Sequence, residues 1–138
     1  NKDRKLDLQV ICDHSTPRTT SYQRIDHVAF ENGSTTFNGR IHILEHASGC
    51  NAQLKNRSLA MGSETTINAK PELEIYNDDV QCSHGSTIGQ VDEAQLFYMR
   101  SRGIKEREAH AILCEGFLRE TISGPLSASA TSNLVPER

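Results

Sequence analysis

Apolar and polar positions alternate in short pieces over the first ninety residues, and the period then turns helical. The pieces are residues 37–39, 41–43, 50–54, 59–61, 67–69, 73–75 and 80–82, each reading inward and outward as a half-exposed strand does. Polar stretches bearing Gly and Asn separate them and read as corners, where these residues supply a left-handed backbone. Two-residue hairpin turns are scarce between the pieces. Phe37, Ala52, Ile67 and Cys82 recur at steps of 15, and Ile41, Leu59 and Leu73 form an interleaved set at steps of 18 and 14. A quasi-repeat of this kind predicts strands stacked in register as successive coils. An antiparallel sandwich with regular strand spacing is the alternative, and the pattern leans to the solenoid.

The period changes near Val91. Asp92 is a good N-cap with Gln95 three residues on, Leu96 and Met99 begin an apolar face, and Arg100 and Arg102 sit at the end where cations are favoured. Gly103 suits the left-handed position past the helix end, with Ile104 folding back. A second helix is expected from about Lys105 to Thr121, with Ala109, Ile112, Leu113, Phe117 and Leu118 on its apolar face. The expected organisation is therefore mostly β: coils over 1–90, a small α-helical domain over 91–122 and a flexible Ser- and Pro-containing tail over 123–138.

Composition narrows this further. Only 36% of the residues are hydrophobic and 5% aromatic, with no Trp, which suits thin layers of small and β-branched side chains rather than a thick core. A formal charge of -3 gives no reason to invoke nucleic acid or an anionic membrane, and no apolar run approaches the roughly 20 residues of a membrane span. Cys12, Cys50, Cys82 and Cys114 are spread without a CxxC pair, so no zinc-ribbon or ferredoxin ligand set is written here. Cys12, Cys50 and Cys114 read as small packed hydrophobes.

Cys82-Ser83-His84 is the sharpest candidate for chemistry. Two residues apart on an extended strand, the thiol and the imidazole share a face, and both suit iron. Gly85 permits close backbone approach. Against this, Cys82 would equally well point into a coil, and two ligands do not complete a metal site. His42 and His46 flank Glu45, and His14 follows Asp13; a surface imidazole beside an acid is commoner than a ligand set. His110 is expected to face solvent or the helix pair. Lys70-Pro71 and Asp78-Asp79 read as corners. No phosphate-binding GxxxxGK[ST] loop is present.

Residues 70–85, KPELEIYNDDVQCSHG, resemble the SufD branch of the SufB/SufD family of iron–sulfur assembly proteins. So do Ile88-Gly89-Gln90, Leu96-Phe97-Tyr98 and Arg100-Ser101-Arg102-Gly103-Ile104, while residues 37–41 and 6–20 look similar too. The resemblance implies a right-handed parallel β-helix followed by C-terminal helices, in a non-catalytic scaffold subunit of the SUF complex. It implies pairing with a SufB-like subunit through the β-helix and docking of a SufC-like ABC ATPase on the helices. The family's interface histidine falls on His84, with Cys82 as a second ligand, for iron or a nascent cluster shared with the partner, which would supply a cysteine. Leu96, Phe97, Tyr98, Arg100, Arg102 and Ile104 are the expected docking residues. A cytoplasmic setting is expected, with a plastid as the alternative. The chain is shorter than a full family member and is expected to be part of one. The competing functions are a carbohydrate-active β-helix enzyme, for which Asp78-Asp79 is the one suggestive pair, and a structural module that pairs with itself.

Overall fold

A computed structural model describes residues 4–30 and 32–121. The tail expected over 123–138 lies outside the described residues. Six strands come first: β1 (Lys5–His14), β2 (Thr20–Ala29), β3 (Ser34–Ile43), β4 (Cys50–Ala60), β5 (Thr66–Ile75) and β6 (Val80–Gln90). Two helices follow, α1 (Glu93–Ser101) and α2 (Glu106–Arg119). The strands form two parallel sheets, ordered β1-β3-β5 and β2-β4-β6, so the chain alternates between sheets and climbs one strand at each visit. Lys5 pairs with Ser34, Thr20 with Asn51, Ser34 with Thr66 and Cys50 with Val80, which makes each coil 29 to 32 residues long. This is a β-helix-like stack. Parallel pairing throughout excludes the antiparallel sandwich.

The step of 15 is half a coil. Phe37 stacks on Ala69 and Ala52 on Cys82, so the four residues spaced by 15 alternate between the sheets and do not form one column. Ile41 does stack on Leu73, but Leu59 belongs to the other sheet, where it lies between Val28 and Gly89 at an outward position.

The corners also differ from the expectation. Residues 37–43 are one strand, as are 50–60 and 66–75. Gly39 sits inside β3, where a Cβ would lie 2.5 Å from Phe37 Cζ and 2.7 Å from Leu54 Cδ2, so this glycine makes room for the aromatic ring. The polar run 55–58 stays in β4 because Asn56 and Ser58 face inward and find hydrogen bonds there. Lys70-Pro71 lies within β5, an edge strand, which is where a residue without an N–H is tolerated. The true corners carry Arg18, Asn32 and Gly49 at φ 57°, 59° and 68°. They stack from coil to coil as well, with Arg18 N donating to Ser48 O (2.8 Å) and Gly49 N to Asp79 O (2.7 Å).

The core sits in the middle coil because only that coil is covered on both sides. Phe37, Ile41, Ile43, Ala47, Cys50, Ala52 and Leu54 form a single buried cluster. In the helices, the Asp92 carboxylate accepts from Ala94 N at 2.8 Å and caps α1. Its other end closes with Gly103 N to Arg100 O (3.0 Å) and Ile104 N to Met99 O (3.2 Å), Gly103 having φ 88°. Leu96, Ala109 and Cys114 are buried, whereas Ile112, expected on the packed face, is exposed.

Candidate functional site

β6 is the last strand of its sheet, with β4 on one side and no strand on the other. Its register puts Cys82 beside Ala52 and His84 beside Leu54, both fully buried core residues. In a parallel pair, neighbours in register share a face. Cys82 and His84 therefore both take the inward parity, at the uncovered edge of the stack. Cys82 is half-buried and packs against the core cluster, while His84 is exposed. The two readings of Cys82 from sequence, packed in the coil or sharing a face with His84, are both realised by this one placement.

Burial pushes the Cys82 thiol above its ordinary pKa; a backbone hydrogen bond at Ala52 opposes the shift and neighbouring Cys50 adds to it. A metal at this position must displace that proton. Among the described residues no group of three or more Cys, His, Asp or Glu gathers as a metal site. Cys82 and His84 together would make two donors, and a tetrahedral iron or cluster iron needs more. All four cysteines are free.

Three other histidines, His14, His42 and His46, make contacts of their own. His14 is buried, against the surface position expected: its Nδ1 lies 2.6 Å from Thr19 Oγ1 and its Nε2 2.8 Å from Ser21 Oγ. Asp13 pairs instead with His42 Nδ1 at 3.1 Å on the neighbouring strand, and the His42 ring meets Tyr76 edge-on at 5.7 Å. His46 Nε2 donates to Ser15 O at 2.9 Å. Asp78 and Asp79 are exposed at the corner before β6, where the Asn77 side chain accepts from Asp79 N.

On the helices, Phe97 is 73% and Tyr98 59% exposed, next to a shallow apolar groove lined by Ala94, Gln95, Tyr98, Met99 and Leu113. Arg102 lies over the Tyr98 ring at 5.1 Å, and Arg100 pairs with Glu106 at 3.5 Å. Leu96, expected to contact a partner directly, is buried and supports this face from behind; Ile104 is half-buried.

One cluster escaped the sequence reading altogether. The Asp26 side chain, on the outward side of β2, is fully buried and accepts from Arg57 (2.7 and 3.0 Å), Arg24 (3.1 and 3.2 Å) and Thr121. Arg57 also donates to Phe117 O at 3.0 Å, covers the Phe117 ring at 4.7 Å and pairs with Glu120. It thus ties the end of α2 to β2 and β4. Burial acts to raise the Asp26 carboxyl, but the hydrogen bonds from Arg57, Thr121 and Arg24 hold it below the usual carboxylate range. Asp26 and Arg57 stand on the same rung of neighbouring strands, a signal visible only once the register is known.

The chain is thus a parallel two-sheet stack with a free thiol and an imidazole on its uncovered last strand, followed by a helical pair. The family model described as SUF system FeS cluster assembly, SufBD core domain, matches residues 1–117, and the chain belongs to that family. Within the family its likeness is to SufD. It is 37% identical over 119 residues to iron–sulfur cluster assembly protein SufD of Escherichia coli, covering 86% of this chain and 28% of that protein. It is 37% identical over 119 residues to an iron–sulfur cluster assembly SufBD family protein of Synechocystis, covering 83% and 26%. With the chloroplastic protein ABCI7 of Arabidopsis thaliana it shares 39% over 123 residues, covering 87% and 26%. The chain thus spans about a quarter of the length of these relatives. No helix among the described residues is long and apolar enough to cross a membrane.

Proposed function

We propose that this chain acts in a non-catalytic scaffold subunit of the SUF iron–sulfur assembly complex, with His84, supported by Cys82, presenting iron or a nascent cluster at an interface with a SufB-like partner. The observation that carries this reading is the inward parity of both residues on the uncovered strand β6, which supplies two donors and leaves the remaining ligands to a partner. Iron and cluster are cargo here. The coils are those of a right-handed β-helix, since crossovers joining parallel strands take that hand. The exposed face around Phe97, Tyr98, Arg100 and Arg102, backed by Leu96 and Ile104, docks a SufC-like ATPase, whose cycle would rearrange the subunit pair. The setting is the cytoplasm or, as the Arabidopsis relative indicates by its name, a plastid.

The test is His84→Ala in the assembled complex. Iron or cluster loading is expected to fall while the subunits still copurify anaerobically. Normal cluster maturation with this variant would remove the central claim.

A further inference from the structure

The interior of the coil is divided along the strands. On β4 the inward positions are apolar from Cys50 to Leu54, polar at Asn56 and Ser58, and apolar again at Ala60. Asn56 and Ser58 on β4 are each 1% exposed. In the register, Asn56 stands between Ile25 and Ser86, and Ser58 between His27 and Ile88.

Asn56 uses every hydrogen-bonding position of its amide. Nδ2 donates to Ile25 O (3.1 Å) and to His27 Nδ1 (3.4 Å), and Oδ1 accepts from Ser58 Oγ (3.3 Å) and Ser86 Oγ (3.1 Å). Nδ1 of His27 can accept only if the ring is neutral with its proton on Nε2. Burial, which lowers the His27 pKa against the opposing effect of Asp26, agrees with a neutral ring. That Nε2–H is buried and meets no acceptor. Both ends of the Gln23 amide and the Thr35 hydroxyl are likewise buried without a partner, and Gln23 and His27 share the inward face of β2. Buried groups of this kind bear the full cost of lost hydration unless something bonds them. Ordered water is the usual occupant, at roughly one buried molecule per 27 residues, and it needs polar partners such as these.

We propose that the polar stretch of the coil interior binds ordered water at His27 Nε2, Gln23 and Thr35, with the hydrogen bonds of Asn56 linking the His27 ring to Ser86 at the uncovered edge. Ser86 lies two residues from His84 on the same face of β6. The side-chain hydrogen bonds from His27 through Asn56 to Ser86 form a polar lane that ends beside the candidate site. The bearing of the lane on that site rests on the reading of His84 above, whereas the binding of water does not.

A high-resolution crystal structure of the native protein, with NMR water–proton NOEs to the His27 ring, tests this. Water oxygens are expected within hydrogen-bonding distance of His27 Nε2 and of Gln23 or Thr35, with direct NOEs to the ring. An interior in which these groups bond one another without water overturns the proposal. Ser86→Val, at an exposed position, removes one donor to Asn56 Oδ1 and is expected to alter the exchange of the bound water with solvent; unchanged exchange overturns the link to the edge. His84→Ala is expected to leave the water in place, so failure of the iron reading and failure of the lane are told apart.

Discussion

Arg57→Ala strips α2 of its tie to the coils. Arg57 supplies two of the hydrogen bonds to Asp26 Oδ2, caps Phe117 O, covers the Phe117 ring and pairs with Glu120. The Asp26 side chain is fully buried, and without Arg57 it keeps only Arg24 and Thr121. Removing one partner of a buried ion pair costs about 3–5 kcal/mol. Arg57 itself is 27% exposed and Arg24 remains, which points to the lower end, about 3 kcal/mol. Against a total stability of about 5–15 kcal/mol this is a large fraction. The assay is denaturant unfolding of the native protein, with hydrogen exchange resolved to α2, β2 and β4. Faster exchange is expected in α2 as well as at the Asp26 strand. The sign with pH follows from the depressed Asp26 carboxyl: the latch contributes fully above the ordinary carboxylate pKa and is lost as pH falls through the folded value. A loss below about 1 kcal/mol, as for an exposed ion pair, with no change in α2 exchange would refute the reasoning.

Three further outcomes are expected. Gly39→Ala drives a methyl group into Phe37 and Leu54 and should cost about 1–3 kcal/mol by denaturant unfolding, a neutral result meaning that the ring is free to move aside. Gly103→Ala meets no atom within 4 Å, so its cost of about 1–2 kcal/mol should come from the left-handed backbone alone. Phe97→Asp changes a residue that packs little, and should alter stability by no more than about 0.5 kcal/mol while weakening copurification of the proposed SufC-like partner; a large loss of stability would place Phe97 in the fold instead.

The local signals survive folding where a residue's role depends on near neighbours. Asp92, Gly103 and Ile104 do at the helix ends what their chemistry suggests, because caps and left-handed positions are settled within one turn. The 15-residue spacing reflects a real property of the coil, though it measures half a turn. Reading Lys55–Ser58 and Pro71 as corners failed for one reason: a polar or small residue marks a corner only if the interior or a sheet edge has no use for it. Here Asn56 bonds across all three strands of its sheet, and Pro71 lies in an edge strand.

What the sequence by itself determined is the alternation of thin strands, the switch to helices after Val91, and the common face of Cys82 and His84, which follows from the two-residue period of any strand. Only the tertiary structure decided that this face is the inward one and that its strand is uncovered, because both depend on the register of β6 against β4. Register likewise decided the Asp26–Arg57 latch and the Asn56 network. Their members lie about thirty residues apart in sequence and become neighbours when the chain completes one coil.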